Sequence, residues 1–229
     1  MTMRRPRFVL SCAMLAASIL TATLVVAPAA DAADGLPGLG SLTGCSTTYF
    51  DGDSRLGPEQ LPKPVVSEVG DEVLFYQRTG GETVPQFLAQ YYDPAANGGM
   101  GSYIYPPANG FVVDAAGHPE EAPQTLPVGQ LLDRYGSEFG GFLAIYGTPY
   151  GQRSIPPSNL DTADPNYTCN FHAYRVSTPF DVEAGPAAPW FAQPGEGEQY
   201  QIDGALLPGK PARPNVKYLI DNGYLERLN

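Results

Sequence analysis

Two arginines, an aromatic and a glutamine are the residues of this chain best suited to chemistry. Arg134 stands beside Asp133 at the end of a short apolar run, LPVGQLLDRYG, and Arg153 closes the turn GTPYGQR. Phe142 lies between them in GGFLAIYG. A guanidinium offers parallel donors that match the oxygens of a phosphate, and a flat ring can stack on a heterocycle. Leu126–Pro157 therefore suits a ligand that carries phosphates and a planar ring. A β-hairpin with solvated arginines accounts for the same residues. Further on, Gln199 sits in GEGEQY. An amide there can bond a hydroxyl or orient a water without adding charge, and the glycines before it let the backbone come close to a ligand. Its neighbour Glu198 offers a carboxylate at the same place.

His172, in FHAYRV, shares one face of an alternating strand with Tyr174. An imidazole there could act as a base toward water, although a core or edge histidine fits the pattern equally. The other histidine, His118, falls in the loop AAGHPEEAP. Two distant histidines and no CxxC pair give no metal constellation. The turn around Asp221, in LIDNGYL, lacks the ligand spacing of an EF-hand. GxSxG and Walker-type loops are absent.

The elements that must hold these residues are short. Runs such as FVV at Phe111, QLLDRY at Gln130, GFLAIY at Gly141, HAYRV at His172 and QYQI at Gln199 read as strands. Glu72 to Tyr76 alternates and also reads as a strand. Thr83 to Tyr92 reads as a helix, with Thr83 as its cap and Pro85 in its first turn. Asn215 to Leu225 reads as a second helix, capped by Asn215 and stopped at Gly223. With 24 prolines and 26 glycines in 229 residues, the chain is loop-rich but not low-complexity. The expected fold class is α+β, a mainly antiparallel mixed sheet with a few short helices and an N-terminal arm tied on.

The first 32 residues hold Arg4, Arg5 and Arg7, an apolar run from Phe8 and the cleavage pattern Ala30-Asp31-Ala32, which reads as an export signal. Its removal takes three arginines and Asp31, so the 13 basic and 24 acidic residues become 10 and 23, a net charge of −13. That balance argues against nucleic acid or an anionic membrane as partner. Asp34 to Leu42 reads as a glycine-rich mature start. Cys12 leaves with the signal, and Cys45 and Cys169 remain. An even count in an exported chain predicts one disulfide, and two free thiols are the alternative. Asn166-Tyr167-Thr168 is a glycosylation sequon.

Taken together, YPPANGF at Tyr105, LPVGQLLDRYG at Leu126, GGFLAIYGTPYGQRSIPP at Gly140, FHAYRV at Phe171, APWFAQPGEGEQY at Ala188 and LIDNGYL at Leu219 resemble the tuberculosis necrotizing toxin (TNT) domain. In layout the chain is most similar to the secreted fungal surface members of that family. The resemblance implies a division into the signal, 1–32, an N-terminal arm, 33–101, and a catalytic domain, 102–229. It implies hydrolysis of NAD, and of NADP, at the nicotinamide–ribose bond. By position in the motifs it assigns Gln199, Arg134 and His172 to catalysis and Phe142 and Arg153 to substrate binding. It also implies an arm disulfide-linked to the core, no required cofactor, a candidate structural calcium near Asp221, and an extracellular location, and it leaves a homodimer open. Two other readings stand beside it. One is a mono-ADP-ribosyltransferase using Glu198, and the other a secreted binding module without turnover.

Overall fold

The computed structural model describes residues 43–229. The expected export signal and glycine-rich start, residues 1–42, lie outside the described residues. Seven strands form one sheet: β3 (Ala122–Leu126), β4 (Leu131–Tyr135), β5 (Phe142–Ile145), β6 (Phe171–Val176), β7 (Phe180–Pro186), β8 (Glu198–Gln201) and β9 (Leu225–Arg227). Their order is β3-β7-β8-β5-β4-β6-β9, and every pairing is antiparallel. A separate two-stranded ribbon joins β1 (Tyr92–Asp93) to β2 (Ser102–Tyr103).

The period of two in a strand sends β4 into two cores. Leu132 packs with Leu143, Tyr174 and Tyr200 on one face, closed by Val216 and Leu219 of helix α3 (Val216–Asp221). Tyr135 packs on the other face with Tyr150, Phe171 and Ala173, where Val69 and Val73 of the arm join them. At β4 the sheet is thus covered on both faces, and the arm supplies one cover. A third cluster joins Leu56, Phe87 and Tyr91 of the arm to Phe191 of the APWF loop, with Trp190 beside them. Trp190 and Phe191 serve packing. All described residues belong to one compact unit.

The local reasons are legible. Helix α2 (Val84–Tyr91) starts where Gln86 Oε1 accepts from Thr83 N at 3.0 Å and from Thr83 Oγ1 at 2.7 Å. Helix α3 starts where Asn215 Oδ1 accepts from Tyr218 N at 2.8 Å, and Gly223, at φ +74, lets the chain turn back. Beyond that turn the chain enters β9, so Leu225 is in a strand and not in the expected helix. Two more expectations are corrected. The segment at Glu72 to Tyr76 is not a strand. Helix α1 (Glu68–Glu72) ends in it, capped by Ser67 Oγ, which accepts from Gly70 N at 3.0 Å. Val69 and Val73, four residues apart, are buried on one side, which is a helical spacing. The Phe111 run makes only isolated bridges, Phe111 to Ala187 and Val113 to Pro119.

Cys45 and Cys169 are bonded, across a separation of 124 residues. Closing so long a loop restricts the unfolded chain and contributes about 5 kcal/mol in the chain-entropy account.

Candidate active site

One cleft of about 570 Å³ gathers most of the residues singled out above: Arg134, Phe142, Arg153, Glu198 and Gln199 all line it. Its floor is the middle of the sheet, where β4, β5 and β8 run side by side. Phe142 faces Gln201 and Ala144 faces Gln199 in the β5–β8 register, so Phe142, Ala144 and Gln199 share one face. Tyr105, Asn109 and Gly110 form the opposite wall.

Arg134 reaches the cleft through a gap. The β4–β5 pairing ends at Asp133 and Ala144. Beyond it Arg134 Nη1 donates to Phe142 O at 2.7 Å and Nε donates to Gly136 O at 3.1 Å. Gly140 makes room, because a Cβ there would lie 2.6 Å from Nη1 and 2.7 Å from Cζ. No carboxylate neutralises this guanidinium among the ion pairs of the described residues. Burial lowers its pKa, with Tyr174 and Glu138 pulling the other way, yet an arginine remains a cation at any physiological pH. A half-buried cation with free donors at a cleft is suited to a phosphate oxygen.

Asp133 and Arg134 do not form the pair their adjacency suggested. Neighbours on a strand point to opposite faces, and Asp133 is fully buried on the other side. Both its oxygens accept from Arg153, Oδ1 from Nη1 and Oδ2 from Nη2 at 2.9 Å. Arg153 Nη2 also donates to Glu72 Oε2 at 2.8 Å, and Nε to Thr148 O at 2.9 Å. Its guanidinium lies over the Tyr135 ring, 5.0 Å from the centroid. Arg153, expected to bind substrate, lines the cleft, but the residue is only 8% exposed and its guanidinium is held by Asp133, Glu72 and Thr148 O within the protein.

Gln199 is half-buried on β8, and its Nε2 donates to Asn109 O at 3.3 Å. That leaves its Oε1 to face the cleft, with the backbone of Gly110 close by. Phe142 is 37% exposed, an aromatic face left uncovered in a cleft. Tyr105 is a second such face, and burial of its hydroxyl raises the pKa. Tyr105, Asn109 and Asn159 were not singled out from the sequence. YPPANGF was legible only as one of the family pieces, and which wall it forms depends on the Phe111–Ala187 bridge.

His172 is placed differently. It stands directly across from Arg134 in the β4–β6 register, is 6% exposed and does not line the cleft. Its ring packs 4.2 Å from that of Tyr167, and among the described residues its Nδ1 has no hydrogen-bond partner. Burial lowers its pKa, Glu138 raises it and Arg134 lowers it further. A base toward water needs access that this position lacks. Asp221 is paired with Lys217 one turn earlier, at 2.7 Å and 2.9 Å. Among the described residues no group of three or more acidic, histidine or cysteine side chains is placed to hold a metal ion. Asn166 is exposed, with its Nδ2 donating to Asp164 at 2.9 Å. Among the described residues no helix is long and apolar enough to cross a membrane.

Comparison with known proteins agrees with the pattern of residues. Residues 125–228 match the model of the tuberculosis necrotizing toxin family. The chain is 47% identical over 183 residues to the conidial surface nicotinamide adenine dinucleotide glycohydrolase nadA of Aspergillus fumigatus, covering 80% of this chain and 72% of that protein. Among solved structures it aligns with tuberculosis necrotizing toxin complexed with its immunity factor, at 24% identity and a TM-score of 0.46, over 78% of this chain and 79% of that one. A second, Rhs1-CT in complex with its cognate immunity protein, aligns at 16% identity and a TM-score of 0.30, over 49% and 80%. The matched span contains the three strands that floor the cleft together with Arg134, Phe142 and Gln199, and this chain belongs to the tuberculosis necrotizing toxin family.

Proposed function

We propose that this chain is an exported NAD glycohydrolase that also accepts NADP, and that the cleft is its active site. The observation that carries the reading is the convergence of Arg134, Phe142 and Gln199 on one cleft, in a chain 47% identical to an NAD glycohydrolase.

The chemistry asks little of acid–base groups. The nicotinamide nitrogen is already cationic, so the C1′–N bond breaks with its electron pair passing to that nitrogen, and neutral nicotinamide leaves without a general acid. The ribose carbon is left electron-poor. Water adds through oxygen and gives up a proton to solvent, and the products are ADP-ribose, nicotinamide and one proton. The protein must hold the dinucleotide, present the ribose and favour the oxocarbenium-like state over the ground state. Arg134 grips the pyrophosphate. Phe142 and Tyr105 offer their faces to the nicotinamide. Gln199 Oε1 bonds a ribose hydroxyl or the attacking water and adds no formal charge. Arg153 acts from behind by fixing the wall. His172 supports Arg134 across the strand pair and does not meet the substrate. The location is extracellular, with residues 1–32 removed and Asn166 open to glycosylation where the host permits it.

The test is release of nicotinamide from NAD and from NADP by residues 33–229. Arg134→Ala and Gln199→Ala should each lose activity by about a hundredfold or more. If neither substrate is cleaved, or if both variants keep full activity, the reading fails. Glu198 lines the same cleft, so NAD labelled in the adenosine moiety decides between hydrolysis and transfer. Label in free ADP-ribose supports the glycohydrolase, and label on protein supports a transferase.

A further inference from the structure

The cleft depends on a residue outside the catalytic domain that the family motifs delimit. Glu72 ends helix α1 of the arm, is 5% exposed, and its Oε2 accepts from both Tyr135 Oη and Arg153 Nη2 at 2.8 Å. Arg153 is shared between this carboxylate and that of Asp133. The clamp also holds backbone. Asp133 Oδ2 accepts from Gly147 N at 2.9 Å, and Thr148 O accepts from Arg153 Nη2 at 2.7 Å. The turn 147–154 is therefore fixed at its start by Asp133 and Arg153 together.

That turn touches the strand that carries Gln199. Gly197 N donates to Gln152 O at 3.0 Å, and Gly195 N donates to Gly151 O at 3.2 Å. A Cβ on Gly197 would lie 2.7 Å from Gln152 O, so the two backbones meet without a side chain between them. A continuous path runs from Glu72 through Arg153 and the turn to Gly197, two residues before Gln199.

We infer that Glu72 is a positioning residue of the active site, through which the arm holds Arg153, the 147–154 turn and the start of β8 in the geometry that presents Gln199. This rests on the glycohydrolase reading of the cleft. A carboxylate is a costly way merely to fasten an arm, because replacing a buried ion pair with apolar groups is often neutral or stabilising. Among the described residues no group donates to Glu72 Oε1. The charged and titratable groups facing Glu72 are Asp133 and Tyr135 on β4, Arg153 on the turn and Tyr146 after β5, with Glu68 on its own helix. Burial pushes Glu72 up to about 7, with Arg153 opposing and Asp133 adding to the rise. Ionisation above that point adds a negative charge behind a cleft that must hold pyrophosphate.

The test uses residues 33–229 as wild type, Glu72→Gln, Glu72→Asp and Glu72→Ala, assayed well below their melting temperatures. Glu72→Gln keeps an acceptor at the Oε2 position. It should retain kcat within about twofold, while the rise of KM for NAD with pH through 7, present in the wild type, disappears. Glu72→Asp withdraws the carboxylate by one methylene and should lose about tenfold or more in kcat, as misplacements near 1 Å do. Glu72→Ala should lose at least as much, and if it does not fold, Glu72→Asp decides. Amide exchange gives a second readout independent of turnover: the Gly147 and Gly197 amides should exchange faster in Glu72→Asp and as slowly as wild type in Glu72→Gln. If the Asp and Ala variants melt earlier yet keep wild-type kcat, KM and exchange at those amides, Glu72 only fastens the arm and the inference is overturned. If the wild type itself releases no nicotinamide, the glycohydrolase reading falls, and the exchange comparison still decides the positioning claim.

Discussion

Replacing Gly140 by alanine should disable the cleft while leaving the fold intact. The new Cβ would meet Arg134 Nη2 first and would lie 2.6 Å from Nη1 and 2.7 Å from Cζ, where ordinary contact begins at 3.4 Å, so the guanidinium must retreat by more than 0.8 Å. The obstructed group is the end of a flexible side chain, and Gly140 is not among the residues at positive φ, so the backbone has no reason to resist alanine. Retreat breaks the bonds to Phe142 O and Gly136 O. Each is a hydrogen bond from a charged donor, worth about 1.5–3 kcal/mol when fully desolvated. This guanidinium is only half-buried, and water in the cleft replaces most of that. The net cost in stability should be about 1 kcal/mol, or roughly 2–4 °C in melting temperature for a chain of this size. The cost in catalysis should be larger, on the order of 10²-fold in kcat/KM, because misplacement by about 1 Å removes binding specific to the transition state. Nicotinamide release and calorimetry on the same preparation separate the two. Wild-type kcat/KM would refute the assignment of Arg134 to the substrate, and so would an activity loss matched by a melting shift much beyond 4 °C.

Other expectations follow from the same geometry. Cys45→Ser with Cys169→Ser releases the 124-residue loop; the loss of about 5 kcal/mol should lower the calorimetric melting temperature by roughly 10 °C or more, and a reductant should do the same to the wild type. Glu72 is raised from 4.5 to about 7 by burial, so the folded chain keeps a proton that the unfolded chain gives up. Its stability contribution is fully present below pH 4.5 and is lost as pH rises to about 7, with an upper bound of about 3 kcal/mol at 1.36 kcal/mol per unit. Denaturant titrations across that window should show the decline in the wild type and a flatter response in Glu72→Gln. His172→Gln should lower activity through Arg134 but leave the pH profile of kcat unchanged, since no catalytic proton passes through the imidazole; loss of a limb of that profile would restore His172 as a base.

Much of the fold was legible because the relevant signals are local. Alternation in LLDRY, FLAI and FHAYRV marked β4, β5 and β6, and caps at Thr83 and Asn215 marked two helices. β3 and β7 were not singled out. β3 contains Pro123 and is exposed at four of its five positions, as an edge strand can be. The apolar alternation of β7, Phe180, Val182 and Ala184, is broken at its end by Gly185 and Pro186. The run at Glu72 misled because VLFY is compatible with either period, and the Ser67 cap decides between them.

The sequence by itself determined the residue types at the site, the pair of cysteines at Cys45 and Cys169 and the family, since each is a matter of identity and order along the chain. Only the tertiary structure decided who partners whom. Asp133 turns away from adjacent Arg134 because neighbours on a strand face opposite sides, and it meets Arg153, twenty residues on. Glu72 reaches the same arginine across 81 residues. Among the described residues Arg134 has no ion-pair partner, whereas Arg153 is locked between two buried carboxylates. No pattern along the chain distinguishes those two arginines, because the difference lies in the pairing of strands and the docking of the arm.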